Sequence, residues 1–182
     1  IFVIDLKTNQ WLPGTPARAL IESEDGRLAE ARSKARAGAE AVLKANQITE
    51  PADILAANPA TEVVPDRNTL SFDRWYVSGG SQRDGKASNQ IRFELAVEPI
   101  PLPRSANCPE DFGDNFGLRL TLKDVTAGTT RTLHEDTSIP ASRNCPSSYD
   151  LAAVVAQSGY PVTDRLVAII GVYSMGFEGS NH

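Results

Sequence analysis

Between residues 90 and 123 the chain alternates. In Gln90-Ile-Arg-Phe-Glu-Leu-Ala-Val97 the apolar side chains Ile91, Phe93, Leu95 and Val97 fall at every second position, and Phe116-Gly-Leu-Arg-Leu-Thr-Leu-Lys123 alternates as well. Successive side chains of a strand point to opposite faces, so a period of two sets one face on a core and the other in water. This pattern predicts antiparallel sheet. Further strands are expected over Ser71–Val77, Thr130–Leu133 (after the turn Thr126-Ala127-Gly128), Tyr149–Ala156 and Arg165–Tyr173. Pro99-Ile-Pro-Leu-Pro103 reads as a stiff connector.

The N-terminal third is different. Ile1–Leu6 is apolar and β-branched and predicts a strand, with a return strand starting at Trp11-Leu12 and stopped by the turn pair Pro13-Gly14. A helix is expected from about Asp25 to Gln47, where Leu28, Ala31, Ala35, Gly38, Val42 and Ala45 recur at spacings of three and four. That stripe is mostly Ala and Gly, which lets a helix approach its neighbour closely but buries little area. Pro51 sits well as the first residue of a short second helix over 51–57, ended by Asn58-Pro59. The predicted fold class is α+β, mainly antiparallel β, arranged as a sandwich or as partial, propeller-like sheets, with a helical insertion at about 25–57. Its 182 residues suggest a single domain over 1–182. Because Ile1 already reads as mid-strand, the chain is expected to be truncated at its ends.

The net charge of −5 demotes nucleic acid as a partner. The densest basic stretch, Arg27–Lys44, is interleaved with Glu30 and Glu40 and reads as a solvated helix face. No apolar run is long enough to predict a transmembrane segment.

Several stretches invite a chemical reading. Gly80-Ser-Gln-Arg-Asp-Gly-Lys-Ala-Ser88 nearly matches a phosphate-binding loop. However, Ala87 stands where the magnesium-binding hydroxyl belongs, and a strand rather than a helix is expected to follow. His134, Glu135 and Asp136, with Ser142 nearby, are the residue types of a Ser/His/acid triad, but no G-x-S-x-G elbow exists. The plain reading of Thr132–Asp136 is the polar end of a strand. The acidic loop Glu110-Asp-Phe-Gly-Asp-Asn115 lacks calcium-loop spacing and reads as solvated. Two cysteines and two histidines, one of them the last residue, are too few for structural zinc, so no metal or other cofactor is expected.

The cysteines, Cys108 and Cys145, each lie in an Asn-Cys-Pro loop ahead of an expected strand. They are too far apart for a thioredoxin-like motif. A disulfide between them is the favoured reading, with free buried thiols and a reactive thiol as alternatives. It would close a loop of roughly 38 residues and point to an oxidising compartment.

The stretches IFVIDLKTNQWLPGTP, LHEDTSIPASRNCPSSYDL and MGFEGSN together resemble a family of predicted secreted bacterial proteins whose domain has no assigned function. The pieces that carry the likeness are Trp11 with Pro13-Gly-Thr-Pro16, Ile139-Pro-Ala-Ser-Arg-Asn-Cys-Pro146 and Gly176-Phe-Glu-Gly179. The resemblance implies a secreted or periplasmic protein, a blade-like strand ahead of Ile1 and a further strand after His182. It implies no catalytic residues. Ile1–Thr8 also resembles the outer hairpin of periplasmic propellers, but the chain is too short for a ring of blades of about 40 residues.

The expectation is therefore a secreted, non-enzymatic binding or interaction module, whose partner is an unknown protein or small-molecule ligand. Its candidate surface is Asp136, Ser142, Arg143 and Glu178, the polar residues of the most distinctive motifs. The plain reading of Arg143 and Glu178 is an ion pair or loop-holding hydrogen bonds. The alternatives are a hydrolase using His134 with Ser142 or a carboxylate, and a structural envelope subunit that pairs through open strand edges. Oligomeric state is left open by the sequence.

Overall fold

The computed structural model describes residues 1–5, 7–8, 10–22, 27–50, 52–59, 63, 66–77, 88–104, 108–109, 113–156, 166–176 and 179–181. They fall into two compact units, 1–51 and 52–182.

In the first unit, β1 (Ile4–Asp5) pairs antiparallel with β2 (Gln10–Trp11), a shorter hairpin than the apolar run suggests. Phe2 and Trp11 pack as a tilted pair with ring centroids 5.1 Å apart. The Pro13-Gly14 turn forms as expected, with Gly14 at φ +82. Helix α1 (Leu28–Ala45) lies against that turn: a Cβ on Gly14 would come 3.3 Å from Val42 Cγ2. The expected small-residue stripe is shifted in part. Ala31, Ala35, Ala39 and Val42 face inward, while Leu28, Gly38 and Ala45 are exposed. Gln47 ends the helix at φ +54, with Ile48 N–H bonded back to Leu43 O at 2.9 Å.

The second unit opens with a correction. Residues 53–57 are not a helix but strand β3 (Asp53–Ala57), paired antiparallel with β8. Local propensity favours helix in this Ala-rich stretch, but the β8 edge supplies backbone partners and tertiary pairing wins. The remaining strands are β4 (Thr69–Val77), β5 (Ser88–Pro101), β6 (Phe116–Asp124), β7 (Thr129–Glu135), β8 (Pro146–Ala156), β9 (Leu166–Gly176) and β10 (Gly179–Asn181). The connector expected at 99–103 begins inside β5, whose last residues pair with the start of β6.

Two four-stranded antiparallel sheets result, in the orders β4-β5-β6-β7 and β10-β9-β8-β3. Their inner faces meet in one core: Leu70, Phe72, Leu95, Val97, Leu118, Leu120 and Leu122 from the first, Tyr149, Leu151 and Val154 from the second. Each such side chain contributes roughly 1.5–3 kcal/mol relative to staying exposed. The architecture is thus α+β and mainly antiparallel, as the alternation predicts.

The outer faces of the two sheets differ. On the first, Glu98, Arg119 and Glu135 pair across three strands. On the second, Ile54, Val155 and Val167 share a row, and Ile54 is 69% exposed. Hence β9 reads as a continuous apolar run rather than an alternating one.

Between the sheets, Asn58 and Arg67 tie the β3–β4 connection to a bulge in β8. Asn58 Nδ2 donates to Leu151 O at 2.9 Å, Asn58 N–H to Ala152 O at 2.9 Å, and Leu151 N–H to Arg67 O at 2.8 Å. No helix among the described residues is long and apolar enough to cross a membrane.

Candidate functional site

One end of the sandwich gathers the end of β5, the start of β6, the end of β7 and the start of β8. A bulge at Leu133 shifts the β6–β7 register, pairing Leu120 with His134 and Arg119 with Glu135. Bulges re-aim the side chains that follow. Asp136 comes next and is buried, its side chain 4% exposed. Its N–H donates to Leu118 O at 3.0 Å, and Leu118 N–H donates back to Asp136 Oδ2 at 2.8 Å.

Two side chains complete this carboxylate. His134 Nε2 lies 2.9 Å from Asp136 Oδ1, and the Arg143 guanidinium donates to Oδ2. Arg143 ends a 3₁₀ turn, Ala141–Arg143, and the next residue, Asn144, turns the chain at φ +52 into Cys145. Its guanidinium also lies over the Tyr149 ring, 5.7 Å from the centroid, with Nη1 3.5 Å from the hydroxyl. Tyr149 O–H in turn donates to Phe116 O at 2.7 Å.

Burial alone would push the Asp136 carboxyl up. The donors from His134, Leu118 N–H and Arg143 outweigh it and hold the group below the usual carboxylate range. Burial pulls the Arg143 guanidinium down, but the hydrogen bonds to Asp136 and Tyr149 leave it raised. Burial raises Tyr149.

Cys108 and Cys145 form the expected disulfide, with Cα atoms 5.2 Å apart and both residues buried. Beside it opens a cleft of about 440 Å³, lined by Pro101, Leu102, Arg104, Asp114, Asn115 and Phe116. The cleft adjoins the Asp136 cluster twice. Phe116 supplies the carbonyl that Tyr149 bonds, and Leu102 lies over Gly117, where a Cβ would meet Leu102 Cδ1 at 2.3 Å and Asp136 Cβ at 3.0 Å. The loop expected to be plainly solvated is mixed: Asp114 is exposed, while Asn115 is buried against the disulfide. A wider hollow of about 570 Å³ runs along α1 past Arg36, Glu40 and Lys44, but every polar group lining it is exposed.

Of the four candidate surface residues, Asp136 and Arg143 come together as an ion pair, and Ser142 lies exposed between Arg143 and Ala141. Glu178 lies outside the described residues, as do 80–87 of the phosphate-loop-like stretch, 110–112 and His182. No hydrogen bond joins Ser142 to His134, whose partner is Asp136, and Glu135 is taken up by Arg119 at 2.8 Å. Among the described residues no three His, Cys, Asp or Glu side chains group as metal ligands. No motif marks Tyr149 or Leu118 as site residues, and Asn115 enters the sequence reading only as the end of a solvated acidic loop. The alternation of β6 marks Leu118 as core, but nothing local marks Asn115.

A second buried carboxylate, Asp150, stands on β8. It accepts from Arg67 Nε at 2.8 Å and from Tyr173 O–H at 2.6 Å. Burial pushes it up, and Tyr173, Arg67 and the Gly171 N–H together hold it low. Arg67 also donates to Pro59 O at 3.2 Å, tying the β3–β4 connection to this group.

No curated protein and no solved structure matches the chain. A family model does, over residues 1–182, and the chain accordingly belongs to the family described as "Predicted secreted protein (DUF2259)".

Proposed function

We propose that this secreted-family protein is a binding module that recognises its ligand at the disulfide end of the sandwich, around Asp136, Ser142 and Arg143. The observation that supports this is the commitment of Asp136. One buried carboxylate accepts from Leu118 N–H, His134 and Arg143, which arise from three segments of the chain. Such a network fixes a surface and leaves its outer members available: His134 is 52% exposed and Ser142 is exposed. Fold class does not set function, so the reading rests on this site.

A thermal-shift screen of amino acids, peptides and glycans tests it. A ligand that binds the native state raises the melting temperature by mass action. The expected result is a hit whose stabilisation is lost in Ser142→Arg, while the ligand-free melting temperature stays unchanged. Hits untouched by Ser142→Arg and by His134→Ala would place binding elsewhere.

One observation favours a second reading. The His134–Asp136 pair, at 2.9 Å, is the base-and-orienter half of a hydrolytic set. Turnover of activated esters that disappears in both His134→Ala and Ser142→Ala would replace the binding reading with the hydrolase.

A further inference from the structure

Three features meet in the 440 Å³ cleft. The first is an apolar wall: Pro101, Leu102 and Phe116. The second is a pair of opposite charges on the same cleft that do not neutralise each other. Among the described residues, exposed Arg104 donates to Pro109 O alone, at 2.6 Å, and exposed Asp114 enters no ion pair.

The third is Asn115. It is 7% exposed, and its Nδ2 has no hydrogen-bond partner among the described residues. Its Oδ1 sits 3.4 Å from Cys108 Sγ. A disulfide sulfur carries no proton to give, so that approach is a packing contact. The amide nitrogen of this buried side chain in the cleft wall is thus unmatched among the described residues. Native proteins rarely leave such a group unpaired, because the cost is about 1–3 kcal/mol.

We infer that this cleft binds a small zwitterion with an apolar side chain, an α-amino acid or a dipeptide. Its carboxylate lies on Arg104, its ammonium on Asp114 and its side chain against Leu102 and Phe116. A simple anion would meet the Asp114 charge and a simple cation the Arg104 charge; only a ligand carrying both signs matches both. The volume lies near the lower end for small-molecule sites, roughly 300–1,000 Å³. The inference rests on the reading of this end as the binding end.

Isothermal titration of the whole chain tests it with L-leucine, L-phenylalanine and leucyl-leucine, beside N-acetyl-leucine, which lacks the ammonium, and leucinamide, which lacks the carboxylate. Leucine or the dipeptide should bind, and each masked compound at least about tenfold more weakly, the weight of one charge-assisted hydrogen bond. Binding of leucine and not the dipeptide, or the reverse, identifies the source. Asp114→Asn should abolish discrimination against N-acetyl-leucine, and Arg104→Gln discrimination against leucinamide. Both side chains are exposed, so both variants should fold, which circular dichroism checks. Absence of binding by every zwitterion overturns the inference, as does equal binding of the masked compounds or discrimination that survives in both variants. A ligand of one charge sign whose binding is lost in Ser142→Arg overturns the zwitterion class and leaves the binding end standing. Ligands insensitive to Ser142→Arg, Arg104→Gln and Asp114→Asn overturn both.

Discussion

Asp136 and Asp150 are built alike and placed differently. Each is a buried aspartate that holds an arginine and has a tyrosine nearby, and each is kept ionised by donors that outweigh its burial. Around Asp150 the donors close on themselves. Arg67 reaches the carboxylate and the Pro59 carbonyl, Tyr173 bonds the same oxygen, and Gly171 presses close enough that a Cβ would sit 2.2 Å from Oδ1. That cluster ties a sheet to the connection entering it. Around Asp136 the same chemistry borders exposed or unmatched groups: the exposed His134 and Ser142, the Asn115 amide nitrogen with no partner among the described residues, and Arg104 and Asp114, which enter no ion pair among them. A buried ion pair alone therefore does not mark a site; groups left without partners beside it do.

The comparison can be broken most forcefully by removing the carboxylates. Asp136→Ala should cost about 3–5 kcal/mol in urea unfolding, because the partly buried Arg143 and the Leu118 N–H both lose their acceptor. Asp150→Ala should cost less, since Arg67 keeps a carbonyl and water. The reverse order would show that the Asp150 cluster carries more of the fold. Cys108→Ser or Cys145→Ser should lower stability by about 2–4 kcal/mol through the unfolded chain. It should also weaken ligand binding, which loss of the Asp150 cluster should not do.

Two glycines make a matched pair. Gly171→Ala and Gly117→Ala should each cost about 1–3 kcal/mol by overpacking. Calorimetry should find ligand affinity changed only by Gly117→Ala, which displaces Leu102. Acid titration sharpens the likeness between the clusters. Both carboxylates are lowered in the folded state from an unfolded value of about 3.9. Their contribution is complete above that pH and is lost as pH falls through the lower, folded values. Stability followed by circular dichroism should thus drop below about pH 4, and Asp136→Asn and Asp150→Asn should each flatten the drop. The smallest effect is expected for His134→Ala, under about 1 kcal/mol, because the imidazole is half in water.

Much of the sheet framework is legible in the sequence because one solvated face forces alternation, as in Phe93–Val97 and Leu118–Leu122. Residues 53–57 are not, since an Ala-rich stretch after a proline carries helix propensity and only the β8 partner makes it a strand. The disulfide is readable as two cysteines in like loops. Asp136 and Arg143 are readable as polar residues of a distinctive motif, although their mutual pairing is not. Asp150 is hidden because a single aspartate in Tyr149-Asp150-Leu151 looks like the solvated half of an alternating strand. Asn115 is hidden because its burial comes from the distant closure of Cys108 on Cys145, which no local pattern records.

The most direct test of the binding end is a ¹H–¹⁵N NMR titration of the full chain with leucine or leucyl-leucine. Shift changes should concentrate at Leu102, Arg104, Asp114–Leu118, Asp136 and Ser142–Arg143 and leave Arg67, Asp150, Gly171 and Tyr173 in place. Changes centred on the Asp150 cluster, or none anywhere at saturating ligand, would contradict the account.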